Sequence, residues 1–395
     1  MNFDRLKNYM DKITEEQGIP GVDIMVCKDH ETLFRYYTGY SDLEDKKAMN
    51  GKELYFIYSM TKMLTCTCAL QLFENGEFLM SDPVSKFLPE FEKMRITTDA
   101  LNTANAANVA SGKTMGESIE NNVDGYAKNP ITMKNLFTMT AGLDYAVGAQ
   151  GIKDKIAEGK LSTREIVGAM SGTVLGFEPG TRYRYSLCHD VIGAVIEVIS
   201  GMSFGEYLKK NVLDPLGMKD TFFGKTKDEE KLSRMAALYK YNGTANPERI
   251  PLECGYCITE EYESGGAGLT SNTEDYALFL DALACGGVGK SGNRILSEAT
   301  VKFMGENHLS GQALADFNNM RRGYGYGIGV RTLLNRAEGG TLSPVGEFGW
   351  DGAAGAFSMV DPVNKISLTY FQQVLGCSFA HHNKMRNILY SCLDK

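Results

Sequence analysis

Long uninterrupted apolar segments are missing from this sequence. The most apolar run, Val191 to Ile199, is too short to cross a bilayer and contains Glu197. The first residues, Met1 to Gly18, lack the apolar stretch of a signal peptide and instead carry apolar side chains at helical spacing. We therefore predict no membrane span, no export and a cytoplasmic location.

Clusters of basic residues are absent as well. The chain has 41 Lys and Arg against 49 Asp and Glu, which gives a net charge of -8. Phosphate backbones are bound by basic surfaces, so this balance argues against a nucleic-acid partner. With 395 residues, of which 43% are hydrophobic, the chain can bury a large core. We predict a small-molecule partner; the oligomeric state is not predicted.

The cysteines do not form the pattern of a disulfide framework. There are nine, an odd number in a chain of this length. Cys254 and Cys257 have the spacing of half a zinc site or of a redox pair, but no second Cys or His pair stands nearby. We predict no metal and no cofactor.

Candidate strands lie near both ends of the chain. Val22 to Lys28 and Thr32 to Thr38 read as a hairpin, as do Ala353 to Val360 and Lys365 to Phe371. Tyr324 to Leu333 is a candidate third strand beside the second hairpin. With a helix at each end of the chain, the last over residues 381 to 393, these hairpins predict an α+β fold with an antiparallel sheet.

The middle of the chain is predicted to be mainly helical. The strongest helical patterns are Met60–Glu74, Thr132–Thr140, Leu187–Ile199, Phe204–Asn211 and Asp275–Cys285. We therefore predict a sheet domain from residues 1–65 and 286–395, a helical domain from 66–285, and an active site at their junction. Residues 98–129, rich in small and polar side chains, are interpreted as an exposed excursion.

Ser59 is the one serine that a lysine, Lys62, follows three places later. The pair opens an apolar helix, and positions i and i+3 share a helix face, so the amine can reach the hydroxyl. Free N–H groups at a helix start favour a developing oxyanion, and a buried lysine loses proton affinity and can act as a base. The same two residues also fit a helix-capping serine beside a solvent-facing lysine.

Two further segments could carry chemistry. Tyr185 precedes an apolar helix, where a tyrosine near an ammonium group can shuttle protons, although a buried capping tyrosine would have the same sequence. The segment from Phe348 to Gly355 is rich in small residues that let the backbone approach a ligand, or that serve packing alone.

Together, these segments resemble the serine β-lactamase and penicillin-binding-protein superfamily, whose first motif is S-x-x-K. The chain is most similar to the class C β-lactamase-like branch, which includes the family VIII carboxylesterases. The resemblance runs from about Asp11 to Asp361. It is also carried by Ile131–Leu143 (similar to "ITIRHLLTHTSGL"), Pro179–Ser186, Asp214–Met218 and Gly265–Leu269.

The resemblance implies a role for each matched residue. Ser59 would be the acylated nucleophile, Lys62 its proton acceptor, and Tyr185 the partner base and later the acid for the leaving group. The oxyanion would lie between the backbone N–H groups of Ser59 and Ala353, and each such donor is typically worth about 3–4 kcal/mol. Which of Lys62 and Tyr185 holds the proton at each step is left open, because the two would titrate as a pair.

The match departs from the lactam-hydrolysing members at two places. Leu187 stands where they usually carry Asn, and Trp350-Asp351-Gly352 stands where they carry Lys-Thr-Gly. Lys and Thr there hold a substrate carboxylate, so the replacement removes that anchor. A pocket lined by Trp350 and Leu187 suits an uncharged, partly apolar acyl or alkoxy group, and a W-x-G pattern is common in esterases of this branch. Asp351 would repel a carboxylate if it faced the site, unless strand alternation points it away from the side of Trp350. The predicted substrate-binding residues are Leu187, Trp350, Asp351 and Gly352.

The sequence therefore predicts a cofactor-free serine hydrolase, a carboxylesterase on uncharged small esters. The alternatives are a β-lactamase or D-amino-acid peptidase, an acyltransferase, and a non-catalytic ligand-binding homologue. None of the five histidines falls inside a matched motif; His189, four residues past Tyr185, is expected in the core or on a helix surface.

Overall fold

The computed structural model of the chain describes residues 1–97 and 125–393. Most of the segment predicted as an exposed excursion, 98–124, lies outside the described residues. The strands are β1 (Gly21–Lys28), β2 (Glu31–Asp42), β3 (Lys47–Ala48), β4 (Tyr55–Phe56), β5 (Arg95–Ile96), β6 (Gly125–Tyr126), β7 (Phe222–Phe223), β8 (Leu238–Lys240), β9 (Glu248–Ile250), β10 (Leu269–Ser271), β11 (Tyr324–Tyr326), β12 (Arg331–Leu333), β13 (Phe348–Gly349), β14 (Phe357–Asp361), β15 (Ile366–Phe371) and β16 (Val374–Leu375).

The α-helices lie between and around these strands. They are α1 (Asp4–Glu16), α2 (Thr61–Glu74), α3 (Met133–Phe137), α4 (Gln150–Ala157), α5 (Thr163–Met170), α6 (Cys188–Ser200), α7 (Phe204–Leu208), α8 (Asp214–Leu216), α9 (Glu229–Arg234), α10 (Thr273–Ala284), α11 (Glu298–Gly305), α12 (Gly311–Met320), α13 (Arg336–Gly339) and α14 (Ala380–Leu393). The described chain contains no single helix long and apolar enough to cross a membrane; one bent pair, α6 with the segment Phe204–Leu216, passes by length and composition only.

An antiparallel sheet joins the two ends of the chain. Its strand order is β11-β12-β13-β14-β15-β1-β2-β3, so the first hairpin and the last are neighbours. The junction is the pairing of β1 with β15, where Ile24 lies opposite Tyr370. This confirms the predicted α+β class with an antiparallel sheet.

The terminal helices cover one face of this sheet. Leu6, Met10 and Ile13 of α1 and Met385 and Leu389 of α14 have no exposed surface and pack in one apolar cluster with β1 and β15. Fully burying one such side chain is worth about 1.5–3 kcal/mol. On the other face, α10 packs against β1, β14 and β15, and its Tyr276, Phe279 and Leu280 belong to the same apolar core as residues of α2 and α6.

Several predicted elements have different bounds in the structure. The single strand predicted over residues 324–333 is wrong: β11 and β12 are two short antiparallel strands, because the chain turns between Tyr326 and Arg331 through a segment with two glycines. The strand predicted from Ala353 begins only at Phe357, since Gly352–Ala356 form a turn. The helix predicted over Phe204–Asn211 is α-helical only as far as Leu208 (α7), and a π-helix over Lys209–Leu213 follows it directly.

Candidate active site

Ser59 is presented by a strained turn ahead of α2. It is the middle residue of a 3-10 turn, Tyr58–Met60, that leads directly into the helix. Tyr58 has a φ of 45°, in the left-handed region that a residue with a large side chain avoids. Its ring is buried and lies edge-on against Phe56 and Tyr256, each with a centroid separation of 6.1 Å. This packing holds a conformation that costs roughly 1–3 kcal/mol, of the kind that clusters at functional sites.

Lys62, the second residue of α2, lies about one helical turn after Ser59 and is completely buried. Its Nζ lies 3.3 Å from Ser59 Oγ, and it donates hydrogen bonds of 2.6 Å to the carbonyl oxygen of Gly266 and 3.0 Å to Tyr145 Oη. Gly266 has to be glycine here, because a Cβ would come within 2.4 Å of an Asp190 oxygen and 3.4 Å of Lys62 Nζ. The amine is therefore fixed beside the hydroxyl by two partners from distant parts of the chain, Gly266 and Tyr145.

Two opposing effects set the pKa of this amine. Burial lowers the pKa of Lys62 to about 7, and the negative charge of Asp190 opposes the shift. Asp190 is itself buried on α6, where its Oδ1 accepts hydrogen bonds of 2.6 Å from Tyr262 and from Ser264. A lysine with this pKa is substantially neutral at physiological pH, so it can accept a proton.

Tyr185 reaches the same point from the loop before α6. Its oxygen accepts a hydrogen bond of 3.1 Å from the indole N–H of Trp350. Lys62 Nζ lies 4.6 Å from the centre of its ring. Burial raises the pKa of Tyr185 above its usual range, although its neighbours Ser59 and Trp350 lower it, so the phenol is neutral. Hydroxyl, amine and phenol thus converge, as the predicted mechanism requires.

Aromatic rings fix the phenol in position. Tyr185 stacks between Tyr145, at a centroid distance of 5.5 Å, and Trp350, at 5.6 Å. Tyr256 closes the far side by lying edge-on against Tyr145 at 5.5 Å. The reacting groups therefore lie against a largely apolar aromatic wall.

The glycine-rich turn after β13 closes on the backbone that leads to Ser59. A Cβ on Gly352 would lie 2.6 Å from the carbonyl oxygen of Ile57, so only glycine permits this approach. Ala353 is the next residue and is partly buried. Its neighbour Gly352 is the residue that lies against the backbone leading to Ser59; the pairing of the Ser59 and Ala353 N–H groups as an oxyanion hole stays a prediction.

The structure gives two residues of the predicted pocket a different environment. Asp351 is 6% exposed and ion-paired with Arg321 and with the buried Arg331. Burial alone would raise the pKa of its carboxyl, but the two guanidinium groups outweigh burial and hold the pKa below its usual range. Leu187 is 4% exposed and belongs to the main apolar core. Asp351 is thus a buried counter-ion, and Leu187 supports the site from within the core.

Trp350 contacts both Tyr185 and an ion pair. It is 6% exposed, it donates a hydrogen bond to Tyr185, and the guanidinium of Arg321 lies 5.2 Å from its ring. Arg321 also pairs with Asp351, the residue next to Trp350 in the segment after β13. Trp350 therefore couples the phenol to a buried ion-pair network.

Three participants are not found by the sequence reasoning. Tyr145 follows the matched segment 131–143 by two residues, but nothing in its sequence neighbourhood distinguishes it from the other tyrosines. Asp190 and Arg321 lie 128 and 259 positions beyond Lys62 (190 - 62 and 321 - 62) in no recognisable motif. His189, by contrast, is buried with its Nε2 3.4 Å from the carbonyl oxygen of Phe137, so it is a core residue, the first of the two placements expected.

The chain is similar to known proteins over most of its length. Residues 6–387 match the family model described as Beta-lactamase. The chain is 26% identical over 382 residues to the esterase EstB of Burkholderia gladioli, covering 90% of this chain and 86% of EstB. It is 24% identical over 395 residues to a putative D-alanyl-D-alanine carboxypeptidase of Escherichia coli strain K12, covering 93% of this chain and 82% of the other. The structure of EstCE1, "a hydrolase with promiscuous acyltransferase activity", superposes with a TM-score of 0.78 at 24% identity, covering 98% of each chain.

Proposed function

Because the chain belongs to the beta-lactamase family and is a serine hydrolase, we propose that it is a carboxylesterase that cleaves small uncharged esters through an acyl-enzyme on Ser59. The observation that carries the proposal is the position of Lys62 Nζ, 3.3 Å from Ser59 Oγ, in an environment that lowers its pKa to about 7. No histidine of the described chain has to take part in this chemistry.

Lys62 acts as the resting base. In its neutral form it accepts the proton of Ser59, and Oγ forms a bond to the carbonyl carbon of the ester. The negative charge that develops on the carbonyl oxygen lies between the N–H groups of Ser59 and Ala353. Tyr185, neutral in the free enzyme, is unsuited to be the first base but well suited to be an acid.

Tyr185 completes the first half-reaction. As the tetrahedral intermediate collapses, the bond to the alkoxy oxygen breaks and the phenol supplies its proton, so the product leaves as a neutral alcohol. Lys62, whose ammonium group lies over the Tyr185 ring, restores the proton and returns to its neutral form. A water then gives a proton to the same pair while its oxygen bonds to the acyl carbon. The bond to Ser59 Oγ breaks, Oγ takes the proton back from the pair, and the free acid leaves.

The electrostatics of the wall favour an uncharged acyl group. Trp350 stands in the position where the lactam-hydrolysing relatives present a lysine. Arg321, whose guanidinium lies 5.2 Å from the Trp350 ring, has its charge compensated by Asp351. A substrate carboxylate beside Trp350 would therefore lose its hydration without gaining Arg321 as a free counter-ion, which costs free energy.

The relatives leave two neighbouring activities to be tested. EstB is named an esterase, which supports the proposal, whereas the Escherichia coli relative is named a carboxypeptidase. Initial rates on p-nitrophenyl acetate and butyrate, nitrocefin and a D-alanyl-D-alanine peptide separate these activities, with Ser59→Ala as the blank. We expect turnover of the esters alone. Turnover of nitrocefin or the peptide at a comparable kcat/KM would overturn the proposal.

An acyltransferase passes the acyl group to an added alcohol, whereas a hydrolase passes it to water. The structural relative EstCE1 is described as having promiscuous acyltransferase activity. Adding a primary alcohol to the ester assay and analysing the products measures the partition. Hydrolysis as the main path predicts free acid as the major product at low acceptor concentration.

A further inference from the structure

A second cluster of reactive side chains lies at the end of α10, outside the proposed active site. Asp281 and Cys285 stand one helical turn apart, at i and i+4. His30 comes to them from the tip of the β1–β2 hairpin, 251 residues away in the chain. Its backbone has a φ of 69°, which turns the hairpin tip toward the helix.

The three side chains offer donor atoms to a common point. His30 Nδ1 lies 2.7 Å from Asp281 Oδ2, and the backbone N–H of His30 donates a hydrogen bond of 3.2 Å to Asp281 Oδ1. Cys285 Sγ lies 4.0 Å from Asp281 Oδ1. One donor atom from each residue lies within 4.8 Å of the other two. The imidazole is 28% exposed, so the cluster is open to solvent on one side.

We propose that His30, Asp281 and Cys285 bind a divalent cation of the zinc class. An imidazole, a carboxylate and a thiolate are the ligands that zinc prefers, at about 2.0–2.3 Å from the metal. Three protein ligands with one open side leave a fourth position for water. Because two ligands come from a helix and one from a hairpin, the cation ties the hairpin tip to α10.

The charges around the cluster are compatible with a cation. Asp281 and a Cys285 thiolate together supply two negative charges. The nearby lysines are already engaged: Lys365 donates to Asp29 at 2.8 Å, and Lys290 pairs with Glu31 at 3.3 Å. Their positive charges are therefore largely compensated outside the cluster.

The cation has a structural role in this proposal. Tyr276, on the same helix, donates a hydrogen bond of 2.8 Å to the carbonyl oxygen of Met60, beside the nucleophile. Asp281 lies five residues further on, about 7.5 Å along the helix axis. Binding therefore stabilises the helix that is hydrogen-bonded to the turn carrying Ser59, and ester turnover does not require the metal.

Cobalt(II) spectroscopy on the full-length protein tests the site directly. Protein treated with a chelator, reduced with a phosphine and freed of both is titrated with Co²⁺. We expect a near-ultraviolet charge-transfer band from a thiolate ligand that saturates at one Co²⁺ per chain and is displaced by Zn²⁺. The thermal midpoint should rise with saturating Zn²⁺. Absence of the band in the wild-type protein overturns the proposal.

Matched variants identify the thiolate that binds. Cys285→Ser removes the proposed ligand, whereas the double variant Cys254→Ser, Cys257→Ser removes the other candidate pair. Loss of the band in the first and its retention in the second support the site, as does weakened binding in His30→Gln. A band that survives Cys285→Ser, or that disappears in the double variant, overturns it. Ester turnover verifies that each variant is folded.

Discussion

The indole N–H of Trp350 donates a hydrogen bond of 3.1 Å to the phenolic oxygen of Tyr185, although 165 residues separate the two. The bond joins the segment just after β13, which carries Trp350, to the loop before α6, which carries Tyr185. Ser59 neighbours the same phenol and lowers its pKa. The environment of the proposed nucleophile therefore depends on two parts of the fold that meet at one oxygen atom.

The first prediction concerns the pH dependence of the esterase reaction. Only neutral Lys62 can accept the Ser59 proton, and its pKa is lowered to about 7 by burial. We therefore expect kcat/KM to rise with pH through an apparent pKa near 7 and to reach a plateau above it. Lys62→Arg, which stays protonated, should be inactive at every pH. A flat profile between pH 5 and pH 9 contradicts the assignment of the base.

Tyr145→Phe should move this profile. The Lys62 ammonium donates to the Tyr145 oxygen, and that bond favours the charged form of the amine. Without it, the ammonium is less stable, so the apparent pKa should fall by about one pH unit. Tyr256→Phe is the matched control, because its ring packs on Tyr145 at 5.5 Å and it lies further from the amine. Equal shifts in both variants would indicate a packing effect.

Trp350→Phe isolates the hydrogen bond to Tyr185. The phenyl ring retains most of the stacking, but the N–H donor to the phenol is lost. A hydrogen bond of this kind is worth about 0.5–1.5 kcal/mol, so we expect kcat to fall by up to about tenfold. KM should change little if the bond acts on the proton transfer. A raised KM with unchanged kcat would indicate that Trp350 serves substrate binding instead.

Asp351→Asn should destabilise the fold. It keeps the shape of the side chain but leaves the guanidinium of Arg331, 1% exposed, with one buried partner fewer, and Arg321 without its counter-ion. Breaking a buried ion pair from one side costs about 3–5 kcal/mol, which chemical denaturation would detect. The surface pair of Glu298 with Lys302 gives the control: Glu298→Gln should change the free energy of unfolding by less than about 1 kcal/mol.

Much of the architecture could be predicted from local patterns. Apolar, β-branched and aromatic runs with breaks at residues 29–31 and 361–364 predicted two hairpins, and both exist. β14 and β15 are buried along their whole length, so they appear in the sequence as largely apolar runs without a clear two-residue period. The segment 324–333 misled for a physical reason. The regular alternation of its glycines is compatible with one extended strand. Glycine also permits a turn, however, and Gly329 has a φ of 71°. The long-range pairing of β12 with β13 decides between one extended strand and two strands joined by a turn.

The part of the candidate site that could be predicted is the part formed by residues close together in the sequence. Ser59 and Lys62 are one helical turn apart, so their contact follows from helix geometry. Tyr145, Asp190 and Gly266 meet Lys62 only through the tertiary fold, and no local spacing reports this. The orientation of Asp351 depends on two arginines elsewhere in the chain, which is why its role as a buried counter-ion was missed. The cluster of His30, Asp281 and Cys285 is hidden for the same reason.

The central claim is that Ser59 is acylated and that Lys62 and Tyr185 activate it. Incubation with a fluorophosphonate, followed by intact-mass measurement and peptide mapping, tests it most directly. The account predicts one adduct per chain, on the peptide that contains Ser59, no adduct in Ser59→Ala, and much slower labelling in Lys62→Met and Tyr185→Phe. An adduct that persists in Ser59→Ala, or labelling that is equally fast without the amine and the phenol, would contradict it.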